Sequence, residues 1–524
     1  MTDLAASDLA AADLDVLVVG GGIVGAGVAL DAVTRGLRVG LLEADDWGGG
    51  RSGQTSSLVH GGLVDLPTIG IGAVAALRRE RDLLLDRTAP HLIRRVPLLV
   101  PLTGGLPERL AAGAALSVYD AAAFSIRQPG VLPGHRQLAR RAVVRLAPAL
   151  AITDVTGAVQ LYEAQVDDAR LNITVVRTAI AYGALARSRM AVRRMVREAG
   201  RVVGVEVVDP SGPVTVRARC VVLAVGSEQD RLLTDPAPES TTSPAASESV
   251  HLVLPRRLIH SSTGLVLREG EHVVYVVPWG RHWIVGSTAA WSDPDRLLAE
   301  LNRHLARPIE ADAVESTYAS RARTGSDADR SPTVQVPAPG LVLVRGSGLA
   351  GYRADAELAV DTAVGQIGGL HPPSATSRVP LLGAEGFIAR WNQRHLLARR
   401  ADLPVLRMEH LLHRYGSDVD LVIDAIRRRP ELAQPVRGAE DYLAVEVWFA
   451  VAYEDATTLA DVLMRRTRIA METADGGAEA TGEVADLMAA GLGWDERETA
   501  RQVEVYLRES RAVRRGAGAG PRSS

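Results

Sequence analysis

The 524-residue chain predicts an α/β fold: a parallel layer built around a glycine turn, an antiparallel sheet inserted into it, and an all-helical C-terminal part. Three observations carry this. Asp15 to Glu43 (DVLVVGGGIVGAGVALDAVTRGLRVGLLE) reads strand, glycine turn, helix, strand. Short apolar runs alternate from 250 to about 318, as in an antiparallel sheet. Beyond about 385 the apolar pattern turns helical, over roughly 405–414, 417–428, 438–465 and 494–512.

In the first stretch Gly20, Gly22 and Gly25 fit G-x-G-x-x-G between an apolar run and an Ala-rich helix. Gly20 suits the tight turn, Gly22 lets a pyrophosphate approach the backbone, and Gly25 lets helix and strand pack closely. The phosphates then meet unpaired N–H groups from Ile23 onward, where the helix dipole favours negative charge. Glu43, which ends the second strand, is placed to accept hydrogen bonds from a ribose hydroxyl pair. An acid there repels a 2′-phosphate, so the motif points to FAD or NAD rather than NADP.

After Glu43 the segment ADDWGGGRSGQTSSLVHGGLVDL is too long for a simple strand-to-helix link. It reads either as a mobile surface loop or as a segment laid along the dinucleotide, with Ser52, Thr55 and Ser56 as its contacts. Residues 71–88 and 106–125 read as helices. LYEAQVDDARL (161–171) ends a strand and opens a helix, with Asp167 and Asp168 in the capping position, which is their preferred reading over catalysis. The hairpin 202–226 runs into Gly226, where a parallel strand meets a cofactor. Residues 234–249 are Pro-, Ser- and Thr-rich and read as disordered. Residues 341–364 return to strand, glycine turn and helix, bringing Gly348 and Leu349 to the same layer; a substrate domain inserted into a dinucleotide fold produces this order.

Composition narrows the function further. The formal charge of −3 argues against general nucleic-acid binding. A single cysteine, Cys220, sits in an apolar run and reads as core; no disulfide can form within the chain, which fits a reducing compartment. There is neither the positive start of a secretory signal nor an apolar run long enough to span a membrane. All 59 basic residues are arginine, which excludes chemistry that needs a lysine. No His/Cys/Asp/Glu spacing suggests a metal, and no G-x-S-x-G nucleophile turn is present.

These segments resemble the FAD-dependent, respiratory-chain-linked glycerol-3-phosphate dehydrogenases over nearly the whole chain. The opening stretch carries the likeness, together with SLVHGG (57–62), APHL (89–92), VDDARL (166–171), VVPW (276–279), VGST (285–288) and LMRRTRIA (463–470). The resemblance implies a Rossmann-like FAD fold of the glutathione-reductase or D-amino-acid-oxidase type. With the composition of the two ends, the chain divides into a flexible 1–14, an oxidoreductase domain over 15–385, a helical domain over 386–512 and a basic, Gly-rich tail over 513–524 that reads as disordered. The resemblance also implies FAD rather than NAD, a small-molecule substrate, electrons passed to quinone, and a cytoplasmic protein lying against the inner face of the membrane. A homodimer stays open. The Arg-rich stretch 135–146 reads either as a lipid-facing surface or as a solvated helix face.

The likeness fails at the basic positions. The family's K-L-[IV]-H-G-G-[LV]-R-Y-L becomes Ser57-Leu58-Val59-His60-Gly61-Gly62-Leu63-Val64-Asp65-Leu66. Its Y-x-G-x-R-P becomes Tyr318-Ala319-Ser320-Arg321-Ala322-Arg323, and its G-G-K-x-T-x-Y-R becomes Gly346-Ser347-Gly348-Leu349-Ala350-Gly351-Tyr352-Arg353. Candidate catalytic residues that remain are His60, as base or as a structural donor against the flavin, and Arg353, as substrate ligand or helix brace. Arg321 and Arg323 join them if a bulge turns the strand. Three functions follow: glycerol 3-phosphate oxidation, oxidation of a less anionic substrate, or a flavin-binding interaction protein without catalysis.

Overall fold

The computed structural model describes the chain except residues 1–5, 63–65, 106–107, 109, 111–112, 115, 118–130, 210–211, 227–231, 234–247, 271, 290, 322–332 and 519–524. The helix expected over 106–125 and the stretch 234–249 fall largely outside the described residues.

The first sheet runs, in spatial order, Thr333–Ala338, Leu341–Arg345, Gly212–Leu223, Leu14–Val19, Val39–Leu42 and Leu185–Arg187. Leu14–Val19 pairs in parallel with both of its neighbours, Val16 opposite Cys220 on one side and Val39 on the other. All six of its residues are buried, because helices cover one face and a hairpin the other. Alternation sorts them: Val16 and Val18 lie under helix Ile23–Thr34, whereas Leu17 and Val19 meet Val202, Val205 and Val207 of the hairpin. Strand Leu341–Arg345 and helix Tyr352–Ile367 complete this layer from far along the sequence.

The N-terminal stretch expected to be flexible is instead helical over Ala6–Ala11, because Leu9 is fully buried against the sheet beside Leu14 and Leu17. At the other end, helix Glu496–Gly518 runs on into the segment expected to be a disordered tail, its Arg-rich sequence favouring helix as far as the first glycines, Gly516 and Gly518, which it takes in.

The second sheet runs Ser316–Arg321, Glu248–Pro255, His282–Ser287, His272–Trp279, Gly264–Glu269, Arg94–Leu102, Gly157–Gln165 and Leu58–Val59. One face packs Val250, Leu252, Trp283 and Val285 against helix Pro294–Asn302. The opposite face carries a second cluster that includes Leu98, Leu161, Tyr275 and Val277.

The C-terminal part is helical around two apolar clusters centred on Phe449 and Met488. The helix expected over 438–465 is broken. Gly438, at φ +75°, turns a short ribbon that includes Ala439–Leu443, and the helix Ala444–Tyr453 ends before Asp455, at φ +58°. Among the described residues no helix is long and apolar enough to cross a membrane.

Candidate active site

The glycine turn is shaped by close contacts. Gly20 adopts φ +110°, and a Cβ there would lie 2.7 Å from the Ala224 carbonyl oxygen. A Cβ on Gly25 would lie 1.9 Å from the Gly20 oxygen, so helix and turn touch directly. At Gly22 the nearest atom to a Cβ is the Ser52 hydroxyl, at 2.9 Å. That hydroxyl accepts the Ile23 N–H at 2.9 Å, leaving its own proton to donate outward at the helix start. Glu43 accepts the Gly21 N–H at 2.6 Å and the Asp45 N–H at 2.9 Å. Burial raises its carboxyl above the usual range, so a further donor such as a ribose hydroxyl is favoured there. The turn, the helix start and the terminal acid thus fit a dinucleotide.

The loop that follows is tied to helix Asp168–Ala181 and to the second sheet. The Thr55 N–H donates to Asp168 at 2.6 Å, and the Tyr318 hydroxyl donates to the Thr55 carbonyl at 2.9 Å. Ser56, half-buried, lies beside it. Ser57 is buried in a left-handed conformation, φ +57°, with its N–H on the Thr55 hydroxyl and its carbonyl on the Val166 N–H. Strained backbone of this kind persists only where surrounding bonds impose it. Gly226 (φ +64°) and Gly348 (φ +127°) are exposed just beyond the ends of the two successive strands on one side of the turn, Gly212–Leu223 and Leu341–Arg345, and Leu349 packs half-buried against the first core.

On the second sheet a row of residues crosses four strands by register: Tyr318 opposite His251, His251's strand opposite that of Gly286, and Gly286 opposite Tyr275. A Cβ on Gly286 would lie 2.6 Å from the His251 ring, so the glycine makes room for the imidazole. His251 stacks on Tyr318 with centroids 4.7 Å apart and planes 4° from parallel. Burial holds its pKa down to about 4, against a backbone contact at Ser249 that raises it, so it is neutral at pH 7. His60, half-buried, sets its ring 5.4 Å from Tyr275 at the other end of the row. The Gly61 N–H and Arg81 both bond Glu163, which holds the V-H-G-G segment onto the sheet. Two imidazoles therefore share one patch beneath the loop that Tyr318 holds. Sequence reading found His60 and missed His251; the signal was its place on the alternating run VHLVLP, facing a glycine three strands later in sequence.

The basic candidates fare differently. Arg353 is engaged by carboxylates: its guanidinium takes Glu80 in two bonds, at 2.6 and 2.7 Å, and Glu357 at 2.7 Å. Arg321 ends its strand with Glu248 as partner, and its side chain lies outside the description, as do Val64, Asp65, Ala322 and Arg323. Asp167 caps helix Asp168–Ala181 by accepting the Arg170 N–H, as its sequence position suggested. No group of three metal-binding side chains comes together among the described residues.

Comparison with known proteins fits this geometry. Residues 15–354 match the FAD dependent oxidoreductase family, and residues 374–499 match the C-terminal domain of alpha-glycerophosphate oxidase. The glycerol-3-phosphate dehydrogenase of Mycobacterium leprae is 37% identical over 513 residues, covering 94% of this chain and 87% of that protein. Glycerol-3-phosphate dehydrogenase 2 of Mycobacterium tuberculosis is 38% identical over 514 residues, with the same coverage of 94% and 87%. Among solved structures, glycerol-3-phosphate dehydrogenase from Bacillus halodurans complexed with FAD aligns with a TM-score of 0.76. It covers 97% of this chain and 96% of its own at 24% identity, a likeness of fold.

Proposed function

The chain belongs to the FAD-dependent glycerol-3-phosphate dehydrogenase family, and from that premise we propose that it oxidises a secondary alcohol less anionic than glycerol 3-phosphate. The protein is an FAD-dependent oxidoreductase, and FAD is its cofactor. When bound, FAD supplies the hydride acceptor. The chain's own residues do the rest. Gly20, Gly22, Ile23, Gly25 and Ser52 receive the pyrophosphate, and Glu43 the ribose. Thr55, Ser56, Gly226, Gly348 and Leu349 line the path of the remainder. His60, half-buried and within reach of water, takes the hydroxyl proton; a general base of this kind contributes about 10²–10⁴-fold in rate. Neutral His251, stacked on Tyr318, supports this patch from within the sheet.

One observation carries the substrate reading: the positions that hold lysine in the family are Ser57, buried and bonded, and Gly348, which has no side chain. Arg353, the matching arginine that is kept, is engaged by Glu80 and Glu357, so it acts as a brace. Removing one cation from an enclosed anion site costs about 3–5 kcal/mol, more than a hundredfold in affinity. A second reading, glycerol 3-phosphate itself, is favoured by Arg321 and Arg323 flanking the family's arginine position.

The test is anaerobic reduction of the FAD-loaded protein by a substrate panel. Glycerol and other uncharged vicinal diols should bleach the flavin faster than glycerol 3-phosphate at equal concentration. The reverse order selects the second reading.

For the rest of the molecule, we assign residues 15–385 to oxidation and 386–512 to a helical domain. Electrons pass on to a quinone. Exposed Arg136, Arg140, Arg141 and Arg145 form the face laid on anionic lipid.

A further inference from the structure

The loop that carries Ser52, Thr55 and Ser56 is gripped by residues 455–468 of the helical domain. Asp46 pairs with Arg465 and Arg466. The Trp47 indole N–H donates to Asp455 at 2.9 Å, and the same ring packs over Gly21. Arg468 reaches furthest in. Its Nη1 donates to the Gly53 carbonyl at 2.9 Å. Its Nε and Nη2 donate to Asp167 at 3.0 and 2.6 Å, and Nη2 also meets Asp168. Asp168 hands the constraint on, since its second oxygen accepts the Thr55 N–H at 2.6 Å.

Arg468 is 5% exposed and Asp168 1%. Buried ion pairs are poor glue, because desolvation offsets most of their attraction and apolar side chains would join two domains as well. What a guanidinium adds is direction: its donors lie in one plane at set angles and fix the groups they meet. Here those groups are the main chain at Gly53 and, through Asp168, the main chain at Thr55. Both residues lie between the pyrophosphate contact at Ser52 and the strained Ser57.

We propose that Arg468 is a positioning residue for the cofactor, holding the Ser52–Ser57 loop in its FAD-binding shape and so coupling docking of the helical domain to FAD affinity. The coupling is reciprocal: FAD in turn tightens the docked state. The inference rests on FAD being held by this loop.

The test uses full-length apoprotein titrated with FAD, followed by flavin fluorescence and visible circular dichroism. Arg177→Met is the control, because Arg177 pairs with Asp418 across the same domain boundary at 3.0 Å without touching the loop. Arg468→Met should weaken FAD about tenfold or more and alter the flavin dichroism, as expected for loss of charge-assisted bonds. Arg468→Lys should recover part of the loss, and Arg177→Met should bind within about twofold of wild type. Three results would overturn the proposal. One is Arg468→Met melting earlier yet binding FAD like wild type. Another is Arg177→Met losing as much affinity as Arg468→Met. The third is wild type taking up no FAD, which would also remove the cofactor assignment. If Arg468→Met does not fold, Arg468→Lys and Asp168→Asn carry the same comparison.

Discussion

Gly22 and Gly25 sit three residues apart, yet their substitution by alanine should fail in different ways. At Gly25 the added methyl lies 1.9 Å from the Gly20 oxygen and 3.0 Å from its carbonyl carbon, both backbone atoms that cannot rotate aside. An ordinary carbon–oxygen contact is roughly 1.5 Å longer, so the helix start must lift off the turn, with overpacking costing about 1–3 kcal/mol. At Gly22 the methyl meets only the Ser52 hydroxyl, at 2.9 Å. Ser52 can rotate away at the loss of one hydrogen bond to Ile23, about 1 kcal/mol. The same methyl then stands where the pyrophosphate approaches. Gly22→Ala should therefore melt within a few degrees of wild type as apoprotein but bind FAD at least about a hundredfold more weakly, or 2.8 kcal/mol at about 1.4 kcal/mol per tenfold. Gly25→Ala should lose both stability and affinity. Thermal unfolding of the apoproteins and fluorescence titration with FAD measure the two effects separately. Gly22→Ala binding FAD within threefold of wild type would refute the placement of the pyrophosphate.

Other expectations follow from the same geometry. Arg353→Met leaves Glu80 enclosed without its cation and should cost about 3–5 kcal/mol in urea unfolding, with no change in the substrate concentration needed for half-maximal flavin reduction; a change there with stability intact would make Arg353 a ligand. His60→Gln should slow flavin reduction by about 10²–10⁴ while FAD affinity stays, and an unaltered rate would leave His60 a structural donor. His251 has a folded pKa of about 4, below its unfolded value of about 6.5. Its contribution is thus fully present above pH 6.5 and is lost as pH falls toward 4, by about 2–3 kcal/mol at pH 4.5. Comparing wild type with His251→Gln by urea unfolding at pH 7 and 4.5 reads it, and equal acid losses in both proteins would contradict it. Asp167, held at about 2 by Arg468 and Arg414 against burial, contributes stability above about pH 4 that is lost as pH falls through 2, so Asp167→Asn should flatten the acid limb there.

The cofactor frame was readable because its determinants are local. Gly20, Gly22 and Gly25 lie within one turn and one helix start, and Glu43 follows at the end of the paired strand, so spacing alone brings them together. The apolar run at 16–19 and the capping of the helix at Asp167 are local in the same sense. The patch on the second sheet was not readable, since it is made by register. Tyr318, His251, Gly286 and Tyr275 come from four strands, and only their pairing puts them in one row. Arg353 shows the complementary limit. Its motif marks it as a substrate arginine, but Glu80, 273 residues away, decides where the guanidinium points. The N-terminal helix was missed for a similar reason: one buried leucine, Leu9, docks a segment whose composition reads as flexible.

The proposed function joins a cofactor site that is kept to an anion grip that is lost. Stopped-flow reduction of the FAD-loaded protein by glycerol 3-phosphate, without oxygen, tests this most directly. Slow bleaching that rises linearly with concentration beyond about 10 mM, a weak-binding range of under 3 kcal/mol, is the expected result. Rapid bleaching that saturates below about 1 mM, equivalent to roughly 4 kcal/mol of binding, would show that other cations have rebuilt the phosphate site and that the substrate had not changed.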